Sequence, residues 1–398
     1  MPQAVVFRKG LDLGAAVAAE LNRNYHSELV QRIKDNDFRY QAGRLTIHLA
    51  REFGFCYGVD RAVDYAYQTR ERFPDRRVFL TGEIIHNPHV NDRLRAKGIQ
   101  FLSDVDPARA PLGADDVVVL PAFGVTTADM ERFNQVGCVM VDTTCGSVLN
   151  VWKNVKRYVQ DGFTSIIHGK VWHEETQATA SQALLHRDGH FLVVLNVEET
   201  GVVCDYIRHG GDRAAFLAKF HDAVSPGFDP DIHLQHVGLA NQTTMLMSES
   251  LQVQDMLREA MRDRYGTEAL ESRLRAFDTI CSATQDRQDA VVALLNETPL
   301  DLMVVIGGYN SSNTCNLARI CSQRVPTYHV ADPSCLESPD AVRYRPAGGK
   351  EEMRAAGWLP ATGEVRVGLT SGASTPDNQV EAVVERLAVL SGTGPDVP

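Results

Sequence analysis

A cysteine between an apolar strand and an amphipathic helix occurs three times in this chain, at near-equal spacing. No other feature constrains the fold as strongly. Phe53-Gly-Phe-Cys56-Tyr-Gly follows a strand-like run from Leu45. It precedes Val59, Ala62, Val63, Ala66 and Tyr67 at helical spacing. Asp142-Thr-Thr-Cys145 leads into Val148, Val151, Trp152 and Val155, and Asp278-Thr-Ile-Cys281 into Ala290, Val291, Leu294 and Leu295. Each helix is followed by an apolar strand ending in Gly82, Gly169 or Gly307, which lie 26, 24 and 26 residues beyond the cysteine. A polar cluster follows each glycine: His86-Asn87, His173-Glu174-Glu175 and Asn310-Ser311-Ser312-Asn313. A further strand closes each copy, at 117–127, 232–244 and 365–375.

Three β-α-β-α copies predict an α/β fold with parallel strands and right-handed crossovers. Ligands of such sheets bind beyond the carboxyl ends of the strands, where all three cysteines and all three polar clusters fall. The expected architecture is three similar α/β domains with small parallel sheets, arranged pseudo-threefold so that the three cysteines converge. The expected domains are 57–145, 146–281 with an insertion at about 205–231, and 282–390 completed by the strand 45–56. Residues 1–44 form an N-terminal extension with helical stretches at Ala15–Leu21 and Leu29–Ile33, and 391–398 a tail. The extension is expected to pack on the body or on a second subunit, with a homodimer as one outcome.

A net charge of −11 without a Lys/Arg block argues against nucleic acid and against an acidic membrane surface. The longest apolar run, 117–125, is broken by Pro121 and is too short for a membrane span. With no signal-peptide pattern at the N-terminus, the expected location is cytoplasmic. Eight cysteines without a C-x-x-C do not read as a disulfide framework or a zinc ribbon. Cys138, Cys204, Cys315, Cys321 and Cys335 lie outside the repeat and read as core residues.

Three converging thiolates without an evident fourth suit a [4Fe–4S] cluster with one iron left open; three-cysteine zinc is the runner-up. The helix N-terminus beyond each cysteine favours the thiolate. His86, His173, Ser311, Ser312, Asn313, Thr243 and Ser374 supply neutral or cationic donors suited to phosphate or diphosphate. Glu175 is the carboxylate among them and the natural proton donor. Ser311 or Asn310 also reads as a helix cap, which shares its geometry with an anion site. Competing signatures are missing: there is no G-x-G-x-x-G or P-loop, and Gln177 stands where H-E-x-x-H needs its second histidine.

In order, FGFCYGVDRA, the HN of GEIIHNPHV, DTTC, HEET, NQTT, DTICSAT, NSSN and TSGASTPD resemble the 4-hydroxy-3-methylbut-2-enyl diphosphate reductase family, from about Leu45 to about Leu390. The resemblance implies three α/β domains around one [4Fe–4S] cluster per chain, with Cys56, Cys145 and Cys281 as its ligands. It implies diphosphate binding by His86, His173, Ser311, Ser312, Asn313 and Ser374. It makes Glu175 the proton source, with Thr243 orienting the substrate hydroxyl and the proton relay. The electron donor it implies is a ferredoxin or flavodoxin. Phe123 stands where short bacterial forms of the family carry a histidine. Residues 1–44, about 205–231 and about 333–360 resemble the longer plant and cyanobacterial-type form. Two other classes fit the residues: a non-redox dehydratase of similar plan, and an iron–sulfur sensor without catalysis.

Overall fold

Val78–Leu80, Val117–Leu120 and Leu302–Ile306 are apolar and buried along their whole length, the pattern of parallel strands covered on both faces. The computed structural model describes residues 5–106, 111–277 and 279–392. The chain forms two compact units. One comprises the residues up to Arg8 with Val105–Cys281; the other comprises Lys9–Asp104 with the residues from Ser282 on.

The first unit holds a four-stranded parallel sheet in the order Leu274–Ala276, Val237–Asn241, Thr164–His168, Phe191–Val194. In it Leu239 pairs with Ile166. Val139–Asp142 also lies there, parallel to both Val117–Leu120 and the short strand Val6–Phe7. The sheet is covered by an aromatic cluster of Tyr206, Phe216, Phe220 and Phe228. These residues come from the 205–231 insertion, so its aromatics are part of the core.

The second unit holds the order Leu45–Leu49, Val365–Ser371, Leu302–Ile306, Thr327–Val330, all parallel. Arg39–Ala42 is added antiparallel at the edge. The two sheets follow one rule: the strand leading to a cysteine, then the closing strand, then the first and second strands of a copy. Ile47 pairs with Val367, so the strand before Cys56 lies beside the last strand of the chain. Val78–Leu80 pairs in parallel with Ile99–Phe101.

The N-terminal helices Gly14–Tyr25 and Glu28–Asp35 belong to the second unit and pack on its body. Val30 and Ile33 enter the core of the five-stranded sheet, and the Tyr25 hydroxyl meets that of Tyr67 at 3.0 Å. Residues 1–4, and 393–398 of the expected tail, lie outside the described residues. No described helix is long and apolar enough to cross a membrane.

Candidate active site

The three repeat cysteines occupy one local structure. Cys56 is the N-cap of helix Tyr57–Arg72, Cys145 that of Gly146–Gln160, and Cys281 immediately precedes Ser282–Glu297. Neither Cys56 nor Cys145 uses its side chain as the cap of its helix. Each backbone N–H donates to a carbonyl two residues past a closing strand: Cys56 to Ala373 at 3.2 Å, Cys145 to Ala122 at 2.8 Å, Cys281 to Thr243 at 3.2 Å. The periodic spacing in the sequence therefore corresponds to a periodic hydrogen bond. All three side chains are half-buried.

The chain must turn sharply before Cys56. Gly54 has φ of +79°, and a Cβ there would come within 2.7 Å of the Asp377 carboxylate. Its N–H donates to Ser371 Oγ at 3.0 Å, and its carbonyl accepts from Arg287 at 2.7 Å. Cys145 packs with Val148, Trp152 and Ala178. The small Ala178 lets helix Glu174–Ala183 approach, and Trp152 Nε1–H donates to Thr179 Oγ1 at 3.1 Å.

That helix presents the acid. Glu175 is buried, and its Oε1 accepts the backbone N–H of Thr243 at 2.5 Å. Thr243 therefore touches Glu175 through its N–H and Cys281 through its carbonyl. His173 caps the helix: its Nδ1 accepts the Glu175 N–H at 3.1 Å. The neutral ring then carries its proton on Nε2, making that atom a donor. Phe123 meets the His173 ring edge to face, with centroids 6.1 Å apart. Gln242 supports the turn, accepting Lys170 N–H at 3.1 Å and the Thr176 hydroxyl at 3.3 Å.

In the second unit, hydrogen bonds through the adjacent Ala373 and Ser374 link Cys56, Asn313 and His86. Ala373 accepts from Cys56 and donates to Asn313 Oδ1 at 2.9 Å. Ser374 Oγ donates to the His86 carbonyl at 3.3 Å, and Asn87 Nδ2 donates to the Ser374 carbonyl at 2.8 Å. Ser311 caps helix Ser312–Ser322 through the Thr314 N–H. Ser312 and Asn313 are buried in its first turn. Asn313 Nδ2 is buried without a hydrogen-bond partner in the protein, a donor that a bound anion would satisfy.

The structure adds two relationships and changes one reading. The cap equivalent to His173 and Ser311 is Asn87, which accepts the Val90 N–H; His86 stands one residue before it. His86 is oriented by Glu83, whose carboxylate lies 2.8 Å from Nδ1, a positioning group that sequence reasoning missed although it lies only three residues upstream. Cys315 is not a core residue but half-buried, with an Arg345 N–H 2.7 Å from its sulfur. Cys138, Cys204, Cys321 and Cys335 are buried as expected. Burial raises the thiols of Cys204 and Cys321 to about 12, so they stay protonated and inert.

The family pattern described as LytB protein matches residues 47–388. The chain belongs to the LytB protein family. Among LytB relatives, the 4-hydroxy-3-methylbut-2-enyl diphosphate reductase of Thermosynechococcus vestitus is 48% identical over 386 residues, covering 96% of this chain and 94% of the relative. That of Gloeobacter violaceus is 49% identical over 395 residues, covering 98% and 93%. A solved structure of (E)-4-hydroxy-3-methyl-but-2-enyl diphosphate reductase, the terminal enzyme of the non-mevalonate pathway, matches with a TM-score of 0.51 at 25% identity, covering 86% of this chain and 98% of that one. The Plasmodium falciparum E-1-hydroxy-2-methyl-but-2-enyl-4-diphosphate reductase shares the fold, with a TM-score of 0.61 at 20% identity over 85% of this chain and 86% of that one. The α/β class expected from the repeat is thus the class of the LytB fold.

Proposed function

We propose that this chain reduces (E)-4-hydroxy-3-methylbut-2-enyl diphosphate to isopentenyl and dimethylallyl diphosphate, the last step of the methylerythritol phosphate route. Two electrons and two protons enter, and the hydroxyl leaves as water. Near-full-length identity to relatives of that name supports the activity. The observation that carries the diphosphate end is the buried Asn313 Nδ2, lacking a protein partner in a helix first turn capped by Ser311.

As a LytB member the chain is an iron–sulfur enzyme. Three thiols repeated at helix N-termini, two of them unused as caps, fit such a group. Our reading assigns Cys56, Cys145 and Cys281 as ligands of a [4Fe–4S] cluster with one open iron. When bound, that cluster supplies single electrons and a Lewis-acid position. His86, His173, Ser311, Ser312, Asn313 and Ser374 would hold the diphosphate, with His173 donating from Nε2. Glu175 would carry the proton given to the departing oxygen. Thr243 fixes that carboxylate through its backbone N–H and offers its hydroxyl to the substrate. The three-domain division, the cytoplasmic location and a homodimer belong to the same proposal. A reductase needs a reductant, and we propose a one-electron carrier such as ferredoxin or flavodoxin.

The test is an anaerobic incubation of the purified protein with the hydroxymethylbutenyl diphosphate and a reduced viologen dye. Oxidation of two dye equivalents per substrate, with both five-carbon diphosphates formed, supports the reading. Substrate loss that needs no reductant would point to the dehydratase instead.

A further inference from the structure

The anion-binding stretch Ser311–Asn313 is gripped on both flanks by one hairpin. Its strands are Ala341–Tyr344 and Met353–Ala356, paired antiparallel. On the near flank, Tyr309 O–H donates to Glu352 Oε1 at 2.7 Å, and the Arg345 guanidinium lies 5.0 Å from the centre of the Tyr309 ring. On the far flank, the same guanidinium donates to Cys315 Sγ at 2.7 Å. Glu352 is itself held by Arg343 at 3.3 Å. His329 completes the grip: its ring meets Tyr309 edge to face at 5.0 Å, its Nε2 lies 2.9 Å from the Gly307 carbonyl, and its own carbonyl accepts the Arg345 N–H at 2.9 Å.

Helix N-terminal N–H groups bind an anion well only when they already point at it, because ordering a loop costs binding energy. We propose that the hairpin is a brace for the diphosphate site, with Tyr309, Arg345 and Glu352 as positioning residues. This rests on the reading of Ser311–Asn313 as diphosphate ligands. The Tyr309–Glu352 bond is solvent-exposed, so removing it changes global stability little. Its effect falls on the alignment of the residues between the two flanks.

The experiment compares the holoenzyme with Tyr309→Phe, Glu352→Ala and Glu352→Gln. It measures kcat, KM for the diphosphate substrate, inhibition by inorganic pyrophosphate, iron content and Tm. Tyr309→Phe and Glu352→Ala are expected to raise KM and the pyrophosphate inhibition constant together, about five- to tenfold, with kcat within about twofold and iron unchanged. Glu352→Gln keeps an acceptor oxygen and should stay within about twofold of the parent. Unchanged KM and pyrophosphate inhibition in the first two variants overturn the brace. So does a fall in kcat at constant KM, or a Tm loss of more than about 5 °C in Tyr309→Phe, which would make the contact structural. A parent enzyme indifferent to both pyrophosphate and substrate would overturn the functional reading instead.

Discussion

The Glu175 carboxylate accepts the backbone N–H of Thr243 at 2.5 Å, and the carbonyl of the same Thr243 accepts the N–H of Cys281. One residue thus sets the position of the proposed proton donor relative to a proposed cluster ligand. Glu175→Gln keeps an oxygen for Thr243 but carries no acidic proton. It should retain the parent iron content and lose turnover by about 10²–10⁴-fold, the usual span of a lost general acid. Steady-state kinetics on enzyme of measured iron content decides it, and turnover at the parent rate contradicts the role.

His173 does two jobs that substitutions can separate. Its Nδ1 caps a helix, and its Nε2 would donate to the diphosphate. His173→Asn keeps a good cap and removes the distal donor, so KM should rise while Tm stays near the parent value. His173→Ala should raise KM and also cost about 1 kcal/mol of stability. Equal Tm values for the two variants would argue against the capping role.

Gly54 is held at φ +79° beside Asp377, two residues before Cys56. Gly54→Ala should destabilise the protein by about 1–3 kcal/mol, from backbone strain and the close contact combined. A urea titration reads this as a lower midpoint at unchanged slope. A midpoint equal to the parent's would contradict the strained turn.

His329 is fully enclosed, and burial lowers its pKa from 6.5 to about 4. The folded protein therefore resists a proton that the unfolded chain accepts. The contribution is whole above about pH 6.5, is lost as pH falls from there to about 4, and amounts to roughly 3 kcal/mol once lost. His329→Gln should flatten the stability–pH curve across that window. A parent-like slope in the variant would assign the acid sensitivity to other groups.

Much of this organisation is legible in the sequence. The cysteine-to-glycine spacing marks strands and helices, because parallel strands buried on both faces are short apolar runs and the helices between them carry a 3.6-residue stripe. Spacing does not show which residue of a polar cluster caps its helix. His86 matches His173 by count, yet Asn87 is the cap, because a short amide reaches the helix N–H groups better than an imidazole at that position. Composition could not reveal that Arg345 reaches Cys315, since the hairpin supplying it lies 30 residues downstream. Nor could it show that Phe123 meets the His173 ring edge to face.

The most direct measurement is iron and sulfide per chain, with reductant-dependent turnover, in protein made and kept without oxygen. We expect about four irons and four sulfides per chain, with turnover. Both should be lost in each of Cys56→Ala, Cys145→Ala and Cys281→Ala, and kept in Cys204→Ala. Full iron and turnover in any of the three variants, or zinc in place of iron in the parent, would contradict that expectation.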